Sequence, residues 1–530
     1  MSNTAMLDKL ATLGPEIVMG IGACMCMATG LTRSPILRRL TAPVAAITLI
    51  VVAVMVIPQI VDPRYGDANN TVGVGVSFTA YVTCAVACVG FLLLMVAAGV
   101  PGRLHMTREA ETAVTRGRPF EPGDMMRGEF FAFFLLSMVG VMLCAGASDL
   151  VWLFLSLELT SLPTYVLVAT SRDKIDAQEA AVKYFFLGAL AVGIFLYGFA
   201  LIYGATGTTQ LFAVPGAAEP SVQGVLANQG ASPLLITGMI LAVVGIAFKI
   251  AAVPMHFYVA DVYQGATTPI TAFLAFVPKT AGFVSIIVLL SVFGAAMPAP
   301  IVALLWVMAV ATMTVGNVMG LLQSNVKRVL AYSSIAHSGY MLVGILAWTS
   351  GQGPTLGNGV AAVLFYLVAY GLATIGAFAV LGCLEARGQE GQSYDDIAGL
   401  SIRHPVFAAI MLLSVLSLIG LPPMVGFLGK IYLFGAAIEH GYVGLVVIAV
   451  LNSAVSAVYY LRIISACYFS PAEATTRTVF APARWLAAAI AAILALVLGL
   501  AGNRLVEAAH RATQTQVKVS IAETTTHELR

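Results

Sequence analysis

Four ionisable residues lie deep in sequence that is otherwise almost wholly apolar. They are Glu158 in WLFLSLELTSLPTYVLVA, Lys249 in GIAFKIAAVPMHFY, Lys279 in TAFLAFVPKTAGF and Lys430 in LPPMVGFLGKIYLF. A charge at the centre of a bilayer costs at least about 2.5–3.5 kcal/mol on insertion scales, which marks such residues as functional candidates. Removal from water disfavours the charged form of an amine, and a nearby carboxylate restores it. A Glu–Lys pair of variable separation would therefore switch a neighbouring lysine between keeping and releasing a proton. Glu158 and Lys249 form such a pair on sequence grounds, because each is costly to leave unpartnered. Lys183, His256 and His337 make a second tier. Histidine titrates near neutral pH and can pass protons in either direction.

The order Glu158, Lys249, Lys279, His337, Lys430 reads as a row of titratable groups bridged by water. Hydroxyls of Ser333, Ser334, Ser338, Thr267, Thr268, Tyr332 and Tyr366 could hold those waters. Each hydroxyl also has a plainer use in helix–helix hydrogen bonding. The histidines have one as satisfied core residues. Lys183 and Arg462 stand near span ends, where a long side chain can snorkel to the interface. Sodium is the poorer cargo, because its sites want carboxylates and carbonyls, and the buried groups here are chiefly ammoniums.

Little else in the sequence could do chemistry. Cys24, Cys26, Cys84, Cys88, Cys144, Cys383 and Cys467 sit mostly in apolar runs without C-x-x-C or Cys/His metal spacing, and read as small hydrophobes. No dinucleotide fingerprint, P-loop or haem motif occurs, so neither a cofactor nor a metal is expected in this chain. The first apolar run lacks a basic leader and a cleavage site, and reads as a retained span.

The elements that must position these charges are membrane helices. The 530-residue chain is 59% hydrophobic and 10% charged, against roughly 25% charged in an ordinary soluble domain. That excludes a soluble enzyme, a disordered chain and a nucleic-acid binder. A spanning helix needs about 20 apolar residues. Fourteen segments qualify, near 12–31, 41–61, 72–99, 129–147, 149–170, 178–204, 233–260, 268–294, 300–323, 328–349, 357–384, 404–437, 441–470 and 483–502. With the N-terminus outside, sixteen Lys and Arg fall in inside loops and six outside, four of these in the C-terminal tail. That asymmetry supports both termini on the outer side. The fold class is thus all-α and polytopic.

Two spans, 233–260 and 404–437, carry a lysine beside a proline break: Lys249 before Pro254, and Lys430 after Pro422 and Pro423. Proline removes an amide donor and clashes with the carbonyl four residues back. A proline kink is the plain reading of either break alone. Paired breaks in corresponding halves point instead to a transport pathway at the midplane. The halves correspond further: AAVKYFFLGALAVGIF from Ala180 matches AAVLFYLVAYGLATIG from Ala361. Five spans per unit is odd, so consecutive units would be inverted. The organisation expected is three accessory helices and an inside loop over 1–128, a first five-helix unit over 129–294 and a second over 300–470. A final helix over 471–502 and a polar tail over 503–530 follow.

At LELTSLPTYVLVA, EAAVKYFFLGA, AFKIAAVPMHFYVADVYQGATTPITAFLAFVPKTAGF, NVKRVLAYSSIAHSGYMLVG and GLPPMVGFLGKIYLF the sequence resembles the antiporter-like membrane subunits of respiratory complex I. The resemblance runs through about 130–470. Lysine at Lys430, where one branch of that family has glutamate, indicates the lysine branch. The 28-residue tail is unlike the branch with a long lateral C-terminal helix. The resemblance implies that Glu158, Lys249, Lys279 and Lys430 match the key proton-path charges, with Lys183, His256 and His337 secondary. It implies a subunit of a bacterial plasma-membrane translocase without a redox cofactor of its own. Other membrane subunits would be its partners, and NADH and quinone would bind elsewhere in the complex. The competing readings are a subunit of a multi-subunit cation/proton antiporter and a non-transporting membrane scaffold. Neighbouring genes would separate the first, and the costly buried charges speak against the second.

Overall fold

The computed structural model describes residues 13–32, 34–61, 75–98, 126–169, 175–213, 220–294, 297–348, 358–386, 389–471, 477–478 and 481–513. The basic loop holding Arg103, Arg108, Arg116 and Arg118, the N-terminal Lys9 and the tail beyond 513 lie outside them, as does part of the evidence for orientation. The apolar helices and the short helix beside the site are, in chain order, α1 Gly14–Gly30, α2 Thr41–Val61, α3 Val76–Ala98, α4 Met126–Ala145, α5 Leu150–Ala169 and α6 Ile175–Thr206. Then come α7 Pro233–Ile246, α8 Val259–Gly265, α9 Thr268–Leu290, α10 Ala299–Leu321, α11 Val326–Leu346 and α12 Gly359–Gly382. The last four are α13 Pro405–Ile419, α14 Val425–Glu439, α15 Val443–Phe469 and α16 Pro482–Ala501.

Among the described residues, eleven helices are long and apolar enough to cross a membrane, or up to twelve if the helices over 394–403 are joined with α13 across a 119° bend. The other three of the fourteen expected segments are shorter or interrupted. The first, α1, has 17 residues. The segment 233–260 is helical only to Ile246 before α8, and 404–437 divides into α13 and α14.

Burial is distributed as lipid solvation demands. The apolar windows of α9, α11 and α12 are 100% buried, whereas those of α2, α6, α15 and α16 are 33% buried. The peripheral helices present side chains such as Ile47, Val54, Phe186, Leu190 and Leu451 outward. A helix apolar all round is a core helix. The three central ones carry Lys279, His337, Tyr366 and Tyr370.

Two features depart from an all-helical expectation. A small antiparallel sheet joins β1 Leu384–Ala386 to both β2 Gln389–Glu390 and β3 Arg477–Thr478. It forms because the chain leaving α12 and the chain leaving α15 emerge at the same end of the bundle. The second feature is Arg484, read from sequence as an inside-loop charge. It is fully buried in the first turn of α16. Its Nε donates to the carbonyl of Val96 (3.0 Å), near the end of α3, and its Nη1 to that of Gly382, the last residue of α12. Cations are favoured at helix C-termini, where carbonyls lack intrahelical donors. Arg484→Met should therefore lower the stability of the protein by about 3 kcal/mol, two charge-assisted hydrogen bonds being lost. Thermal unfolding in detergent reads this directly, and an unchanged midpoint would rule the clasp out.

Candidate functional site

The first break begins earlier than Pro254 alone requires. Helix α7 stops at Ile246, and residues 247–258 form a string of turns before α8. Within it Lys249 N–H donates to Ile246 O (2.9 Å), Ala251 adopts a left-handed φ of 59°, and Ala252 N–H reaches back to Ala247 O (3.0 Å). Lys249 thus sits on non-helical backbone inside the protein, where interrupted segments at membrane depth are tolerated. Gly282 of α9 makes room for it: a Cβ there would stand 2.6 Å from Ile250 Cγ2 and 2.8 Å from Lys249 Cβ.

The second break is a helix stop followed by proline. Gly420 takes φ 84°, its N–H donating to Ser417 O (3.1 Å) while Leu421 N–H donates to Leu416 O (3.1 Å). This is the Schellman pattern, in which glycine is favoured because the left-handed region penalises a Cβ. Pro422 and Pro423 follow, and α14 resumes at Val425.

Lys430 Nζ donates to Ile419 O, the last carbonyl of α13 (2.7 Å), and to Ser453 Oγ of α15 (2.8 Å). It also lies 5.0 Å from the Tyr340 ring centroid, a cation–π distance. Lys279, 1% exposed, donates to Ser334 O (2.5 Å) and Ser334 Oγ (2.6 Å), and stands 4.6 Å from the Tyr370 ring centroid. Lys249 Nζ donates to Leu157 O (3.3 Å). No ion pair joins Lys249 to Glu158. Ser161 Oγ donates to the same Leu157 O (2.7 Å) and lies 3.4 Å from Glu158 Oε1.

His337 is buried with both ring nitrogens engaged, Nδ1 with Tyr366 OH (2.7 Å) and Nε2 with Tyr460 OH (3.0 Å). Tyr460 OH also bonds Ser333 Oγ. The Tyr370 ring that faces Lys279 lies 5.2 Å from the imidazole, and Tyr340, which faces Lys430, lies 5.7 Å from it. Ser338 Oγ donates to the carbonyl of Ile250, next to Lys249, and to Ser334 O (3.2 Å). Hydrogen bonds and shared backbone carbonyls therefore lead from Glu158 through Ser161, Leu157 O, Lys249, Ile250 O, Ser338 and Ser334 to Lys279, and ring packing continues through Tyr370, His337 and Tyr340 to Lys430.

Lys183 and His256 stand apart from this series. Lys183 is 40% exposed and pairs with Asp261 (2.7 Å) and Glu179 (2.6 Å). His256 is buried in the first break against Phe257, its Nδ1 without a hydrogen-bond partner. Of the hydroxyls expected from sequence, Ser333, Ser334, Ser338 and Tyr366 join the series, Thr267 and Tyr332 do not, and Thr268 is buried in the first turn of α9. Ser161, Tyr340, Tyr370, Ser453 and Tyr460 were missed. Ser161, one turn from Glu158 on the same helix, carried a readable signal. Ser453 and Tyr460 reach the site only through tertiary packing of α15.

The buried groups offer donors and proton-holding sites on several helices, with no cluster of carboxylates among them. Comparison with known proteins places this arrangement in context. Residues 147–456 match the family model described as NADH:quinone oxidoreductase/Mrp antiporter, transmembrane. The chain is 45% identical over 377 residues to the NADH-quinone oxidoreductase subunit N of Trichlorobacter lovleyi, covering 71% of this chain and 73% of that one. It is 40% identical over 404 residues to subunit N of Halorhodospira halophila, covering 74% and 80%. Among solved structures, a chain of respiratory complex I from Thermus thermophilus superposes with a TM-score of 0.71 at 31% identity, over 93% of this chain and 98% of that one. A chain of the Mrp complex from Dietzia sp. shares the fold, with a TM-score of 0.72 at 20% identity over 95% and 97%.

Proposed function

We infer function from one premise: this chain belongs to the NADH:quinone oxidoreductase/Mrp antiporter family of membrane subunits, on the subunit N branch. It is a proton-translocating membrane subunit of a bacterial NADH:quinone oxidoreductase. Protons move along Glu158, Lys249, Lys279 and Lys430, with His337 and intervening hydroxyls and waters. Quinone reduction in other subunits supplies the drive, and those subunits bind NADH and quinone. The observation that carries this reading is the succession of hydrogen bonds, shared backbone carbonyls and ring contacts that leads from half-buried Glu158 through buried Lys249, Lys279 and His337 to Lys430.

The roles follow from position. Glu158 biases Lys249 through space across Ser161 and the Leu157 carbonyl, because a carboxylate nearby favours the charged amine and its retreat favours release. Lys279 is the hub between the halves, since its partner Ser334 belongs to α11. His337 exchanges protons with two tyrosine hydroxyls and relays in either direction. Lys430 is the last site. Lys183 and His256 are secondary, Lys183 at the aqueous edge and His256 beside the first break.

The same reading includes fourteen spans with both termini on the outer side of the plasma membrane. Residues 129–294 and 300–470 form two inverted five-helix units, flanked by accessory spans over 1–128 and 471–502. The matched pair of interrupted segments supports it, as inverted-repeat transporters place such breaks at the site.

A cation/proton antiporter subunit of Mrp type shares this fold, and the 45% identity to subunit N favours the respiratory reading. Glu158→Gln tests the reading in the purified complex, reconstituted into sodium-free vesicles. NADH-driven proton transport should fall about fivefold, the size of a typical coupling between sites. Undiminished transport with normal assembly would overturn it.

A further inference from the structure

The seven-residue helix α8 lies between the first break and α9 and is held by three cations, the partly exposed Lys183 and Arg328 and the buried Lys327. Asp261, in its first turn, accepts from Lys183 Nζ of α6 through Oδ2 (2.7 Å) and from Arg328 Nη1 of α11 through Oδ1 (2.9 Å). Arg328 Nη1 donates as well to Gln264 Oε1 on the same short helix (2.9 Å), and its Nε is fixed by Gln323 Oε1 (3.0 Å). Lys327 Nζ donates to Ala266 O (2.7 Å), just past the helix end. The face towards the core does something different. Tyr263 OH lies 3.4 Å from Ser334 Oγ, the hydroxyl to which Lys279 donates. Tyr258, the residue before α8, donates its hydroxyl to Phe248 O beside Lys249 (2.8 Å). One short helix thus has a charged clamp on one side and the Lys249 and Lys279 sites on the other.

We propose that Asp261 is a positioning residue for proton transfer at Lys279: its carboxylate, clamped between Lys183 and Arg328, sets α8 so that Tyr263 and Ser334 hold the Lys279 amine in register. The proposal rests on Lys279 being a proton-path residue. The clamp joins the two expected five-helix units, because Lys183 stands on a helix of the first and Arg328 on a helix of the second. Its members are partly exposed, at 40%, 36% and 26% for Lys183, Asp261 and Arg328. Pairs at that exposure are weak enough to exchange during turnover.

The experiment measures protons transported per NADH oxidised by the complete complex in sealed vesicles. It compares Asp261→Asn, Asp261→Glu and Lys279→Met with the parent. Asp261→Asn removes both ion pairs and should lower the ratio about tenfold. Asp261→Glu should keep most of it, and the exchange Asp261→Arg with Arg328→Asp should exceed either single change. An Asp261→Asn complex that pumps at the parental ratio while Lys279→Met does not overturns the clamp alone. Normal pumping by Lys279→Met overturns the reading beneath it. If Asp261→Asn fails to assemble, Lys183→Met keeps the Arg328 pair and should lower the ratio about twofold. A parental ratio there also overturns the proposal.

Discussion

Lys279→Met should abolish proton transport by the assembled complex, lowering it about a hundredfold, the smaller end of what a positioned proton donor contributes. Methionine matches lysine as far as Cε and lacks only the titratable nitrogen, so packing in the 1%-exposed site is largely retained. The change takes the ammonium donor from Ser334 O and Oγ, leaving Ser338 Oγ on the carbonyl and Tyr263 OH near the hydroxyl, and takes the cation from Tyr370. It also cuts the run of contacts where the two halves meet. Stability should change less than on loss of Arg484 or Lys430, because Ser334 O lies inside α11 and still accepts from Ser338 Oγ (3.2 Å), so no helix-end carbonyl is orphaned. The pairing to measure is proton transport against complex content in the same membranes. Lost transport at normal content is the expected outcome.

Lys430→Met should act comparably on transport, with an added cost to the fold. Lys430 Nζ is the donor to the Ile419 carbonyl that closes α13, and it ties that end to Ser453 of α15. Cations at a helix C-terminus stabilise by about 0.3–1 kcal/mol, and by up to about 2 kcal/mol where partly buried. A buried carbonyl left without its donor costs about 1–3 kcal/mol. The variant should therefore unfold at lower temperature than Lys279→Met and transport about a hundredfold less than the parent. A normal transport rate in an assembled complex would remove Lys430 from the path.

The residues expected from sequence were readable because membrane charges are expensive. Glu158, Lys249, Lys279 and Lys430 stand out against apolar flanks, and the structure seats the three lysines in its interior at 5%, 1% and 5% exposure. The second break was equally plain, since Gly420 followed by Leu421, Pro422 and Pro423 spells a left-handed helix stop and then residues unable to continue it. The first was legible in place but not in extent. Pro254 dictates disruption near Ile250, whereas the chain unwinds from Ala247 because Lys249 reaches Leu157 and packs over Gly282.

Other features had no local signal. Tyr460 and Ser453 lie on the peripheral, largely apolar α15, and nothing in its sequence aims them at His337 and Lys430. Arg484 and Arg328 sit at span ends, where position alone reads as an interfacial charge. Only packing reveals Arg484 as a clasp on two helix ends, and Arg328 as a partner of Asp261.

Proton exchange at Lys279, as opposed to a fixed positive charge there, is the central claim, and Lys279→Arg separates the two. Arginine keeps the charge and does not deprotonate in proteins. The measurement is proton transport per NADH oxidised by the purified complex in sealed vesicles, with assembly verified by subunit content. The expected result is that Lys279→Arg transports as poorly as Lys279→Met. Restoration of transport by arginine to near the parental ratio would contradict a proton-carrying role for Lys279.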